Sequence, residues 1–545
     1  MKNYLLIALI LSALASCSDS KTDFNNAVKS ISIKDLAKYN SELASDRYMG
    51  RQPFTEGETI TTRYLTEQLV NLGFGPAFNG SYLQDVPMVE ISSSLNQVTV
   101  TKSSEKIISF NVPDEAAVIS PRIKEEILIN NSEMIFAGFG IVAPEYGWND
   151  YAGLDVRGKT AVVLVNDPGL YTGDTLLFKG REMTYYGRWT YKYEEAARQE
   201  AAGILIIHET EGAGYAYTIP RKSSITPRFY LQSADSNRSL CQFTGWFSAD
   251  AADKLFAYCG YDVSELRMDA CKRGFTGFPL RIDISMSIRN RVRYNKSANV
   301  AGIIKGSENP DECIIYTAHW DHFGIGEKEN GDSIYNGAVD NGTSLAWELA
   351  IGKAFSTLEK KPRRSIILLF PTAEEQGLLG SAYYTGYPVI PMEKTIACLN
   401  NDGLLPMGRM KDVTITGYGQ SDLDSLTMIV AAVQDRYVTG DPESHTGMYF
   451  RSDHFSFAAK GVPSLYAKGS TESREFGKEW AAKQRKDYIE NRYHRPSDNY
   501  DPDSFNFEGI AEDAALAFTI GYKLANSDYF PEWKSGSEFK QLRNR

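Results

Sequence analysis

The sequence predicts an α/β protein: a mixed, largely parallel sheet flanked by helices, with a β-rich insert placed inside it. Three observations point there. From about residue 296 onward, short apolar runs alternate with amphipathic helical patterns, the rhythm of a layered α/β fold. Between about 131 and 290 the texture shifts to β-branched runs separated by turn residues. The 545 residues exceed what one hydrophobic core usually organises, so at least two domains are expected. A hydrophobic share of 42% marks a folded chain rather than a disordered one. The net charge of −11 excludes the clustered basic footprint of nucleic-acid binding.

Taken in order, residues 1–17 read as a secretion signal. Lys2 supplies the positive start, and Tyr4 to Leu14 is an apolar stretch too short to span a bilayer. It ends in Leu14-Ala15-Ser16-Cys17, which resembles the bacterial lipobox, where Cys17 is lipidated and becomes the mature N-terminus. Residues 18–32 would then be a tether. The expected protein is an exported lipoprotein, on the periplasmic side or the cell surface, held to the membrane through its lipid alone.

Residues 33–130 are expected to form the first part of the main domain. The opening, to about residue 95, looks helical: Ile60, Tyr64, Leu65, Leu69 and Leu72 fall on one helical face, and Gly73 closes it. From about 96 to 130 there are short strand-like runs without a motif. The insert is expected over 131–290. MIFAGFGIVAP and KTAVVLVND read as strands, and YEEAARQEAAGILIIH as a helix running into a buried strand with Gly203 at the junction. His208, alone at the end of an apolar run, reads as structural. With Cys17 set aside, five cysteines remain, an odd number in an exported chain. Cys313 and Cys398 sit in apolar runs and read as buried thiols. Among Cys241, Cys259 and Cys271 one disulfide is expected, its pairing open.

Residues 291–545 carry the strongest strand–helix alternation. CIIYTAH, SIILLFP, TIACLNN, DVTITG and PSLYAKG are strand candidates, and SLAWELAIGKAF and FEGIAEDAALAFTIGYKLA are helices. The chemistry-bearing residues fall just past these elements. His319 and Asp321 follow one strand, Glu374 and Glu375 follow Ser365–Phe370, and Asp402 follows a third. Asp340 opens a helix, and His494 lies in a polar loop. A parallel sheet brings the C-terminal ends of its strands to one edge. Imidazoles and carboxylates gathered there suit two divalent metals roughly 3.5–4 Å apart. Mixed nitrogen and oxygen ligands fit zinc, with cobalt or manganese left open. Without metal, so many carboxylates would repel one another and take up protons.

The motifs AHWDH, NGAVDNGTS, PTAEEQGLLGS, NNDG, RSDHFSF and YHRPSD, in that order, resemble the two-zinc aminopeptidase and glutamate carboxypeptidase family. GFGIVAPEYGWNDYAGLDVRGKTAVVLV with YKYEEAARQEAAGILIIH resembles the protease-associated (PA) domain inserted in one branch of it. The resemblance implies a zinc-peptidase fold, peptide substrates and a set of roles. His319, Asp340 and Asp402 would bind one zinc; Asp340, Glu375 and His494 would bind the other, with Asp340 bridging. Glu374 would be the general base, Asp321 would fix His319, and Tyr493 would polarise the scissile carbonyl. Arg451 and His454 would line the substrate pocket, and the loop Phe178 to Tyr193 would form one wall of the site. His322 and His445 read as ordinary polar residues nearby. An exported aminopeptidase is the first expectation. A carboxypeptidase or dipeptidase would need a basic pocket, for which Arg451 and Lys468 are candidates. A one-zinc glutaminyl cyclase is disfavoured by the complete ligand set. A non-catalytic, receptor-like binding protein would be expected to have lost ligands that are all present here.

Overall fold

The structure, a computed structural model, describes residues 21–543 apart from Ser104. The lipidation expectation at Cys17 therefore lies outside the described residues. The chain forms two compact units. One comprises the residues up to Val86, Ser297–Asp441 and the residues from Ser452 on; the other comprises Pro87–Lys296 and Pro442–Arg451.

The first unit is built on four parallel strands. Arg364–Phe370 pairs with Asn309–Thr317, which pairs with Thr395–Asn400, which pairs with Ser464–Lys468. Antiparallel neighbours close both sides: Val300–Ile304 runs against Ile366–Phe370, and Thr414–Thr416 runs against Tyr466–Lys468. Every residue of Arg364–Phe370 is buried, as a strand covered on both faces requires. The pleat divides its side chains by alternation. Ile366, Leu368 and Phe370 face a large cluster with the helices Ser344–Thr357 and Glu508–Ala525, while Ile367 and Leu369 face a second cluster with Tyr384 and Phe457. The helix pattern before Gly73 is realised as Glu56–Asn71, with Leu65 and Leu69 fully buried and Gly73 at φ 71°. The opening is not helical to residue 95, however, because Leu83–Ser94 is a strand.

The second unit is larger than the insert expected at 131–290. Glu126–Phe136, Thr160–Leu164, Gly203–Ile207 and Phe243–Phe247 pair in parallel. Gln97–Lys102 and Glu105–Asn111 form a hairpin against this unit's own strands, and Ala116–Ile119 pairs with Phe243–Phe247. Residues 96–130 thus belong here, because Gln97–Lys102 and Ala116–Ile119 pair with strands of this unit more than a hundred residues downstream. The unit also carries helices, among them Trp189–Arg198 and Ala249–Tyr258. The expected disulfide is absent: all five cysteines of the described residues are free thiols. Cys241 packs in one apolar cluster of this unit, and Cys259 and Cys271 pack in or against another. Among the described residues no helix is long and apolar enough to cross a membrane.

Candidate metal centre

All the predicted metal ligands come together in the first unit. His319 leaves the end of Asn309–Thr317 and is almost wholly buried. Its Nε2 lies 3.3 Å from Asp402 Oδ1, 3.4 Å from Asp340 Oδ1 and 3.8 Å from Glu374 Oε2. Asp340 sits in the turn that leads into Ser344–Thr357, and its other oxygen, Oδ2, is 3.2 Å from His494 Nε2. Glu375 Oε2 is 3.3 Å from the same nitrogen. Asp340 therefore presents one oxygen to each of two imidazoles, as a carboxylate bridging two cations would.

The supporting contacts are equally specific. Asp321, fully buried, accepts hydrogen bonds from the amides of Glu374 and Glu375 at 3.0 and 3.4 Å. This fixes the turn that carries both glutamates. Its carboxylate lies 3.7 Å from His319 Nδ1, but the closer partner of that nitrogen is the Asp321 main-chain oxygen, at 3.2 Å. Lys468 Nζ donates to the main-chain oxygens of Asp402 and Gly403 at 2.5 and 3.3 Å and to the Tyr466 hydroxyl at 2.9 Å, which engages its three donors. His494, at φ 56°, is more open than His319, and the Tyr493 ring stacks on it at 3.7 Å. Tyr493 is 41% exposed, on the open side of the site.

Three functional side chains were not singled out from the sequence. His322, read as an ordinary polar residue, is buried with Nδ1 2.6 Å from Glu375 Oε1. Its spacing in AHWDH was the available signal. Asp498, in YHRPSD, accepts the amides of Val339 and Asp340, both at 3.1 Å. Arg51 has no counterpart in any of the motifs. The two pocket expectations also change. His454 is wholly buried, its ring 5.2 Å from Tyr466, because the short helix His454–Ala458 turns its first residue into the core. Arg451 belongs to the second unit, where Nη2 donates to Thr446 O at 2.7 Å.

The electrostatics ask for cations. Burial pushes the Glu374 and Glu375 carboxyls well above the usual range, and neighbouring carboxylates add to it. Burial alone would push His319 down, but Glu374 and Asp402 carry it well above the ordinary imidazole value. Burial drives His322 down to about 3, and its Nδ1 shares a hydrogen bond with Glu375 Oε1. Two groups, His319 with Glu374 and Asp402 and His322 with Asp340 and Glu375, each place one ligand atom per residue within 4.8 Å of the others. Imidazole nitrogens and carboxylate oxygens are the donors zinc takes. The residues present fit the metal.

A helix-covered parallel sheet with clustered imidazoles and carboxylates past its strand ends is an arrangement that could hold metal ions. Residues 299–518 match the model of Peptidase family M28. Over 176 residues it is 38% identical to the aminopeptidase NAALADL1 of Mus musculus, covering 31% of this chain and 21% of that protein. Over 128 residues it is 31% identical to the probable glutamate carboxypeptidase AMP1 of Arabidopsis thaliana, covering 23% of this chain and 17% of that protein. The chain thus spans about a fifth of the length of these curated relatives. The aminopeptidase from Aneurinibacillus sp. strain AM-1 shares the fold, with a TM-score of 0.51 at 18% identity over 93% of this chain and 97% of that one.

Proposed function

We propose that the chain is an exopeptidase working with two zinc ions, and specifically an aminopeptidase that trims N-terminal residues from peptides. The observation that carries this reading is Asp340, whose two oxygens face His319 and His494 separately. His319, Asp340 and Asp402 would hold one ion, and Asp340, Glu375 and His494 the other, with cobalt or manganese as substitutes. When bound, the ions supply Lewis-acid polarisation of the scissile carbonyl and make water acidic enough to attack near neutral pH. The remaining steps belong to the chain. Glu374, its carboxylate buried beside His319, takes a proton on an oxygen and returns it to the leaving amine nitrogen. Asp321 holds the Glu374 and Glu375 amides, so the base keeps its place relative to the ligands. The Tyr493 hydroxyl, on the open side, donates to the carbonyl oxygen as it gains charge. The surplus of carboxylate favours a substrate that brings a free ammonium group.

A second reading is a carboxypeptidase or dipeptidase. The second unit is proposed to be a PA domain, and Cys17 the lipid-bearing residue of an exported protein.

The test is metal content measured together with turnover. Two zinc ions per chain, with cleavage of aminoacyl-nitroanilides and of free-amine peptides only, fit the aminopeptidase. Two zinc ions with turnover of N-blocked or acidic C-terminal substrates move it to the carboxypeptidase reading. A chain that takes no metal and turns nothing over is not an enzyme of this kind, and a receptor-like binding role replaces the proposal.

A further inference from the structure

We infer that Arg51 is a positioning residue that sets the two metal-ligand loops at a fixed distance from each other. The inference rests on the metal-site reading above. Arg51 comes from a short turn, Asp46–Arg51, far from the ligands in sequence, and its side chain is fully buried. A guanidinium has five N–H donors in a rigid plane, and here each of them meets a main-chain oxygen. Nε donates to Trp320 O at 2.9 Å, between His319 and Asp321. Nη1 donates to Leu43 O at 2.9 Å and Asn336 O at 2.5 Å. Nη2 donates to Gly337 O at 3.0 Å and Asp340 O at 3.4 Å. The Arg51 main-chain oxygen, in turn, accepts the amide of His322 at 3.2 Å. One planar group is thereby bonded to the segment carrying His319 and to the segment carrying Asp340.

Two features show that the fit is built. None of the five acceptors is a carboxylate, so the buried charge is matched to carbonyl dipoles rather than used in an ion pair. The neighbouring Gly50, at φ 65°, lies so close that a Cβ there would be 2.5 Å from Gly324 O and 2.7 Å from Tyr335 O. The backbone of this turn packs on the paired residues Gly324 and Tyr335, which lie just after His322 and just before Asn336, and the guanidinium reaches both flanking segments. Lysine, with three donors on one flexible atom, cannot reproduce it. Residues that orient metal ligands typically change metal affinity or activity 10–100-fold when removed.

The experiment titrates the metal-free full chain with Zn2+ by calorimetry and with Co2+ by visible absorption, for wild type, Arg51→Met, Arg51→Lys and the exposed control Arg47→Met. The expected result is at least a tenfold loss of metal affinity and an altered Co2+ spectrum in Arg51→Met, with folded circular dichroism. Arg51→Lys recovers only part, and Arg47→Met matches wild type. With saturating metal, kcat falls and KM stays. A folded Arg51→Met with wild-type affinities and spectrum overturns the inference, even if its melting temperature drops, because a merely structural role predicts that outcome. If Arg51→Met does not fold, Arg51→Lys decides, and wild-type affinity and spectrum there overturn the role of the planar fork. A wild-type chain that takes up no metal overturns the site reading itself, which separates the two failures.

Discussion

If the site takes two metal ions as proposed, replacing His322 with alanine should weaken the binding of one and spare the other. The imidazole Nδ1 lies 2.6 Å from Glu375 Oε1, with both side chains buried. That contact leaves Oε2 to face His494. A hydrogen bond to a charged group contributes about 1.5–3 kcal/mol. Converted at about 1.4 kcal/mol per decade, its loss weakens the ion held by Asp340, Glu375 and His494 roughly ten- to a hundredfold. The ion proposed at His319 and Asp402 would be held by side chains other than Glu375, the partner of His322, and should bind as before. A stepwise zinc titration of the metal-free chain reads both constants at once. His322→Gln, whose side-chain amide can still donate to Glu375, should recover part of the loss. The reasoning is refuted if both steps stay at wild-type affinity, or if the step that moves is the one lost in His319→Ala. A loss above about a thousandfold would refute the orienting role in another way, by making the imidazole a ligand, since a bond of this kind cannot account for it.

Glu374→Gln should keep both metals and lower kcat by about 10²–10⁴, the usual contribution of a general base; full activity would move that role elsewhere. Gly50→Ala places a methyl group 2.5 Å from Gly324 O at a left-handed φ, and should cost about 2 kcal/mol or more in urea unfolding of the metal-free chain. Chelation should lower the melting temperature, because an ion at a hundred times its Kd stabilises the folded state by about 2.7 kcal/mol. His208 gives a pH signature in the second unit. Burial pushes its imidazole below the usual value, so below about pH 6.5 the unfolded chain takes up a proton that the folded chain resists. Stability should therefore fall on acidification through that window, by up to about 1.4 kcal/mol per pH unit. His208→Gln should show a shallower fall by urea titration.

Much of the first unit was legible because its strands are buried on both faces and its helices are long. Arg364–Phe370 and Glu508–Ala525 announce themselves by apolar runs and by period, and the ligands sit immediately past such elements. The second unit was harder to delimit. Gln97–Lys102 and Glu105–Asn111 are short alternating strands whose pairing is set by Phe278–Ile304, far downstream. The ten residues Pro442–Arg451 join that unit although nothing local distinguishes them from the loop beside them. Within the site, residue type marked the ligands but not the supports. Asp498 and Lys468 act on main-chain atoms, which leave no trace in a motif of side chains. His454 shows the converse error, since a histidine in a motif of this kind can be core.

The location of Arg51 follows from the charge balance of the site. Asp321, Asp340, Glu374, Glu375, Asp402 and Asp498 crowd one small region, and no lysine or arginine forms an ion pair with the first five among the described residues. A protein cation placed among them would compete with the metals for the same oxygens. A guanidinium turned toward carbonyls avoids that competition while still contributing positive potential to Asp340 and Glu375 from behind. The carbonyls it needs are on the loops that carry the ligands, and their spacing must match a flat group of fixed size. An arginine from the N-terminal segment meets both conditions because that segment packs on Ala338 and Asn336 through Asn40 and Asp46, at 2.6 and 2.8 Å. Asn40, Asp46 and Arg51 therefore support the proposed metal centre, and a catalytic segment expressed without them should bind metal weakly even where its ligands are intact.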